Sequence, residues 1–539
     1  MKPFQILSIL LLLAFTFVCA VPANADNLYA SIRGTVADPT GAVLSGAKLT
    51  ATNAGTGIVY STTSDSSGSF VFLQLPIGDY TLKVEQTGFK AYQASGIHLN
   101  LNQVYNLNVE LALGAATEQI VVEANPVQVQ QTDMQLGIIV SGSQLVDMPL
   151  NGRNWTALQQ LQPGIIGTSD RFGGGGGAFS GNGAQTQQNS FLINGVDSND
   201  SALNTVLVIP SPDAIGEFRL ITSTLNPEYG RNSGSIINAS IKNGTNQFHG
   251  SAFEFYRDTF LDAKGYMEGG CTDPVTQLPK SDCRSPFHQN EYGGVVGGPI
   301  FKDKAFFFFS FQGFHQRIPQ GGGGPVNVFT TDQFQNGNFS GDLALGGFSG
   351  NQNPVAMFGD SGSSCPVSGG VQCPALSTTY GALFGTTGII PTENFNPLST
   401  KLVNQFNAFS PSGSVVVSPT TTRKDQQYLG RIDHKLTSND ALWFYGLWET
   451  SPSQDTLPFT GTNLPGLPEQ ALRHTHQYSF AWTHTFNPTT LNEFRLGYTR
   501  FNFAAVTPVN PINPTTFGFT GITPQNLAGA SLPVISTPL

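Results

Sequence analysis

The sequence predicts a mainly β protein: an N-terminal β-sandwich, an α/β domain, and the first part of an antiparallel transmembrane β-barrel. Three observations carry this. Charged residues make up only 11% of the 539 residues, while Gly (61) and Phe (40) are abundant; an average soluble domain carries about 25% charged residues. The N-terminus has the form of an export signal. Further on, segments with period-two side-chain alternation are joined by short and long links in turn, the habit of outer-membrane barrels.

Residues 1–25 read as a signal peptide. Lys2 supplies the positive start, Ile6 to Val21 the apolar stretch, and Ala23-Asn24-Ala25 the small-residue cleavage site. The apolar run falls short of the roughly 20 residues of a spanning helix, and Phe17-Val18 before Cys19 lack the small residue of a lipid-attachment site. No later stretch approaches a spanning helix, so a mature chain that enters a membrane does so as a barrel. The net charge of −10, without a Lys/Arg block, argues against nucleic acid as a partner.

Residues 28–113 alternate short apolar runs with turn chemistry. Asp38-Pro39-Thr40-Gly41 and Asp65-Ser66-Ser67-Gly68 separate strands such as the one carrying Tyr80, Leu82 and Val84, the texture of a small sandwich. Residues 115–246 are mixed and rich in Gly and Asn. The run Gly173 to Gly177 lacks the Gly-Lys-Ser/Thr of a phosphate loop and reads as a flexible link. His288-Gln289-Asn290-Glu291 places two zinc-type ligands three apart, but no third ligand accompanies them, and the spacing reads as chance.

In residues 247–539, expected strands run Phe248 to Arg257, His288 to Gly298, Lys304 to Phe314, Gln426 to Leu436, Asp440 to Glu449, Leu472 to Phe486 and Leu491 to Phe503. From Arg473 to Thr485 the odd positions form a wet face, opposed by Tyr478, Phe480 and Trp482. Alternation alone fits a soluble sandwich or a membrane barrel; the alternating link lengths favour the barrel. Phe307, Phe309 and Phe311 are then expected to face lipid, with Phe306 and Phe308 packing inward. Cys271 and Cys283 lie in the first long link, Cys365 and Cys373 in the second. In an exported chain such pairs read as disulfides, each contributing about 2.5 to 3 kcal/mol; a four-cysteine zinc site is the alternative, without the usual knuckle spacing.

Gly34, Val36, Asp38, Gly41, Asp65, Gly68, Phe70, Pro76, Gly78, Tyr80 and Gly88-Phe89 closely resemble the carboxypeptidase-regulatory-like domain, an accessory fold without catalytic residues. Asn194-Gly195-Val196-Asp197, Glu217, Glu228-Tyr229-Gly230-Arg231 and Asn243-Gly244-Thr245-Asn246 resemble the plug of TonB-dependent outer-membrane receptors, most closely the Oar-like branch. The resemblance implies a non-enzyme of the outer membrane, without metal or cofactor, that takes up an extracellular ligand, carbohydrate or peptide, with energy from the TonB complex. The apolar segment Glu118-Gln119-Ile120-Val121-Val122-Glu123 is the candidate for TonB capture by strand addition, or else merely the first strand of the plug. A barrel-anchored adhesion or structural protein is the alternative. About seven strands, against the roughly 22 of plugged transporters, lead to the expectation that the chain is a piece of a longer one.

Overall fold

The computed structural model describes residues 29–114, 119–123, 136–148, 150–168, 178–201, 204–223, 232–263, 271–272, 279–280, 284, 286–319, 324–327, 329–338, 392, 400–401, 403–404, 409–412, 414–417, 420–455, 469–487 and 490–506. The signal peptide, Glu118, Glu228 to Arg231, Cys283, Cys365 and Cys373 lie outside these, and of Cys271 only the backbone is described.

The N-terminal unit is a two-sheet sandwich. Its strands are β1 (Ala30–Ala37), β2 (Lys48–Asn53), β3 (Val59–Thr63), β4 (Ser69–Leu75), β5 (Gly78–Glu85), β6 (Ala91–Leu99), β7 (Val104–Asn106), β8 (Val109–Glu110) and β9 (Gln119–Glu123). One sheet is ordered β4-β1-β7, with β8 also on β1; the other is β3-β2-β5-β6-β9. Ile32, Leu49, Phe70, Phe72, Leu82 and Ile97 from both sheets form one core. The two turns predicted from Asp close as expected. Asp38 Oδ1 accepts from the Thr40 and Ala42 amides, both at 2.9 Å, and Asp65 Oδ1 from those of Ser67 and Ser69 at 2.8 and 2.9 Å, so each short side chain stands in for a missing backbone acceptor.

A second unit is built on β10 (Leu136–Ser141), β11 (Ile165–Thr168), β12 (Ala178–Gly181), β13 (Ser190–Ile193), β14 (Val196–Asp197), β15 (Ile215–Ser223) and β16 (Ile236–Ile241). Its main sheet runs β10-β15-β16-β13-β14, with β13 and β16 parallel. Every residue of β16 is buried, Asn238 and Ser240 included, as in a strand covered on both faces. Trp155 and Leu158 from a 3₁₀ segment, with Leu145 from the helix Gly142–Asp147, cover one face beside Phe218 and Leu220.

The remaining long strands form a curved wall. They are β17 (His249–Asp258), then, past the short pair β18 (Cys271–Thr272) and β19 (Pro279–Lys280), β20 (His288–Phe301) and β21 (Ala305–Pro319). After the short strands β22 (Gly324–Asn327), β23 (Phe329–Thr330), β24 (Phe409–Ser410) and β25 (Ser414–Val417) come β26 (Thr420–Lys435), β27 (Asp440–Thr450), β28 (Ser453–Asp455), β29 (Glu469–Asn487) and β30 (Thr490–Val506). The order β17-β20-β21-β26-β27-β29-β30 is antiparallel throughout, with β28 bridging β26 and β29. All seven expected strands are present, several extended at the end bearing the long links. Turns 302–304 and 436–439 lie at one end of the wall, where Asn487 of β29 also pairs with Thr490 of β30. At the second, Thr437 Oγ1 accepts from the Asn439 and Asp440 amides at 3.1 and 2.9 Å.

The faces follow the period-two reading. Phe306 and Phe308 are 1% exposed and inward, whereas Phe309 is 42% exposed on the outer face. Phe307, Ile432, Phe444, Phe480 and Leu496 align across β21, β26, β27, β29 and β30 as one apolar outer row. The face expected to be wet is corrected: Thr475, Gln477, Ser479 and Ala481 are at most 2% exposed. The second unit packs on them, so protein groups rather than water meet this polar face. No helix among the described residues is long and apolar enough to cross a membrane.

Candidate functional site

The second unit lies on the concave face of the wall, and the junction combines an apolar patch with polar clasps. Ile193, Val208, Ala214 and Ile241 meet Phe308, Leu429, Tyr445, Leu447 and Ala481 of the wall. Around them Gln427 Nε2 donates to Ile209 O at 3.0 Å while its Oε1 accepts from the Ser211 amide at 2.9 Å. Tyr445 Oη donates to Ile193 O at 3.2 Å, and Gln477 Nε2 to Asp197 O at 3.3 Å. These bonds end on backbone carbonyls and amides at the edges of the inner unit.

Arg153 is the strongest polar element. Its guanidinium pairs with Asp213, both side chains nearly buried, and lies over the Phe253 and Phe255 rings of β17 at 4.2 and 4.6 Å from their centroids. These rings therefore point inward, in register with the inward Glu291 of β20. Arg431 donates to Ile241 O and pairs with Asp433 at 2.7 Å. Sequence reasoning passed over Arg153, Asp213 and Gln427, since nothing in their spacing marks them. The one available signal was an Arg in LNGRNW, in a chain with few charges.

The predicted motif residues are largely structural. Asn194 and Gly195, with φ of 46° and 68°, make the tight turn between β13 and β14 that left-handed residues allow. Asn194 Oδ1 also accepts from the Ile241 amide at 2.9 Å, and Asp197 Oδ1 from the Asn199 amide at 2.9 Å. Gly244 sits where the chain passes from the inner unit to the wall; a Cβ there would stand 2.3 Å from Phe307 O and 2.7 Å from Gly298 O, so only glycine fits. Glu217 is buried and accepts from the Leu101 amide of the sandwich. Burial raises its carboxyl to about 7 against the pull of that amide. Beside it Arg219 Nη1 donates to Asn102 O at 3.2 Å.

The sandwich stands at the short-turn end of the wall. Lys435 Nζ donates to Val59 O at 2.9 Å and lies 4.3 Å over the Tyr60 ring. Asn246 Nδ2 donates to Thr56 O at 2.6 Å and to Asp303 Oδ1 at 2.7 Å. A cavity of about 140 Å³ remains where sandwich, inner unit and wall meet, lined among others by Tyr29, Tyr60, Ile77, Arg431 and Trp443.

The segment proposed for capture is a strand: β9 lies parallel to β6 in the sandwich sheet, not in the inner sheet as its place in residues 115–246 implied. His288 pairs with Asp258 at 3.1 Å, and no group of three or more potential metal ligands occurs among the described residues.

Such a wall, with a folded unit on its concave side, defines an outer-membrane barrel protein. The family model described as outer membrane beta barrel domain matches residues 240–538, more than half of the chain, and that of the carboxypeptidase regulatory-like domain matches residues 31–112. The chain belongs to the outer membrane beta-barrel family and is an outer-membrane protein. It is 32% identical over 261 residues to the TonB-dependent transporter Oar of Myxococcus xanthus, a match covering 46% of this chain and 23% of that protein. Among solved structures, the ferric enterobactin receptor of Pseudomonas aeruginosa is 11% identical over 69% of this chain and 46% of its own, with a TM-score of 0.31. The siderophore receptor of Acinetobacter baumannii is 14% identical over 71% and 46%, with a TM-score of 0.30.

Proposed function

We propose that the chain works as an Oar-like TonB-dependent transporter rather than an enzyme. In this reading residues 28–113 are the periplasmic accessory domain, 115–246 the plug, and 247–539 wall. Lipid covers the outer aromatic rows, the short turns face the periplasm, and the long links face the extracellular ligand. One observation carries the reading: the inner unit occupies the concave face through clasps such as Gln427 with Ser211 and Tyr445 with Ile193. A plug must close the barrel at rest yet yield to a pull, and hydrogen bonds of modest net strength around a small apolar patch meet both needs. The TonB-capture segment is β9 with Glu118, since strand addition uses the backbone and tolerates sequence variation.

The test is retention of the full-length protein, extracted from outer membranes, on the immobilised periplasmic domain of TonB. Deleting residues 118–123 should abolish it. Equal retention without the segment would sink its assignment. Uptake by cells that is indifferent to collapse of the proton-motive force would sink the transport reading and favour adhesion.

A further inference from the structure

We propose that the edge of β6 is a docking site within the chain for the strand Gln119–Glu123, and that this docking competes with capture of the same strand by a periplasmic partner. The proposal rests on the functional reading above and adds a resting place for the strand. In the structure Ala91, Tyr92, Gln93, Ala94 and Ser95 stand opposite Gln119, Ile120, Val121, Val122 and Glu123, all parallel. β9 is the outermost member of its sheet, so one backbone edge is engaged by β6 and the other is free among the described residues.

Two features make this seat one that can be exchanged. The sequence Ile120-Val121-Val122 is a continuous apolar run, suited to a strand covered on both faces, yet Val121 is 63% exposed. A partner that covers both faces offers the run more burial than β6 does. The sandwich, for its part, already has two sheets and a core to which β1, β2, β4, β5, β6, β7 and β8 contribute among the described residues, and β9 is one further strand at the outer edge of its sheet.

Position along the chain supplies the consequence. The next described strand, β10, is the edge strand of the inner sheet and, among the described residues, pairs only with β15. A pull on β9 while it is docked is borne by the sandwich, which is itself anchored to the wall through Lys435 and Asn246. The same pull after release is delivered to β10 and thence to the inner sheet. Docking on β6 therefore routes load through the sandwich and its contacts rather than through β10 until a partner has taken the strand.

The experiment places cysteines at the paired positions Gln93 and Val121, as Gln93→Cys/Val121→Cys, in the full-length protein in outer membranes. Mild oxidation should give a crosslink between residues 93 and 121, mapped by mass spectrometry. The oxidised form should bind the purified periplasmic domain of TonB at least tenfold more weakly than the same protein after reduction. Failure of the crosslink to form in folded protein overturns the docking. Equal binding by crosslinked and reduced forms overturns the competition, because the partner then adds to the free edge of β9. If the unaltered protein does not bind the TonB domain, the functional reading fails and the competition with it, while the crosslink still reports the docking.

Discussion

Removing Arg153 tests how the inner unit is held. Its guanidinium is the partner of the buried Asp213 carboxylate and also covers two rings of β17. In Arg153→Met the apolar contact with Phe253 and Phe255 largely survives, but Asp213 is left buried without its main counter-charge. Breaking a buried pair this way costs on the order of 3–5 kcal/mol, and the lost cation–ring attraction adds about 0.5–2 kcal/mol. Lys242 is a second cation acting on Asp213 and offsets part of this, so about 3 kcal/mol is expected. At about 1.4 kcal/mol per tenfold, amide exchange in β16 should accelerate roughly a hundredfold in the purified protein. The double variant Arg153→Met/Asp213→Leu should regain most of the protection, since apolar side chains of similar volume often replace a buried pair without loss. A single variant within 1 kcal/mol of the parent, or a double variant worse than the single, would refute the clasp.

Phe480, in the middle of the outer apolar row, should tolerate Leu, while Phe480→Arg should lower assembly by about 2–4 kcal/mol if it lies near the membrane midplane; equal outer-membrane yield of both variants would remove the lipid-facing assignment. Glu217 is held protonated up to about pH 7 by burial. Its raised folded pKa means that stability is greatest below the ordinary carboxylate range and is lost as pH rises towards 7, by on the order of 3 kcal/mol. The junction between sandwich and inner unit should thus open more readily at pH 8 than at pH 5, and Glu217→Gln should flatten that profile. Gly244→Ala should cost roughly 1–3 kcal/mol because its methyl meets backbone on two strands, read as faster proteolysis of the inner unit; unchanged proteolysis would contradict the close approach. Single cysteines at Gly321 and Gly461 should react with an impermeant thiol reagent on intact cells and those at Ser438 and Asn487 should not, the reverse pattern inverting the topology.

The wall was legible because each of its strands meets two unlike environments. Period two is imposed by backbone geometry, so Phe307, Phe309 and Phe311 separate from Phe306, Phe308 and Ser310 wherever the strand sits. Turn chemistry at Asp38 and Asp65 was legible for the same reason: the side chain satisfies a need only a few residues away. The wet face of β29 was misjudged because alternation reports a polar side without saying whether water or protein meets it. Arg153 and Asp213 stand sixty residues apart and are joined by no motif.

The sequence by itself determined the local matters: strands, turns and the polarity of each face, all set by interactions between near neighbours. Only the tertiary structure decided the pairing of Arg153 with Asp213, the burial of Glu217 beneath Leu101, and the choice of β6 rather than the inner sheet as the neighbour of β9. A strand such as Gln119–Glu123 carries the same backbone donors and acceptors towards any free edge, so its choice of partner depends on which edge the rest of the fold brings within reach.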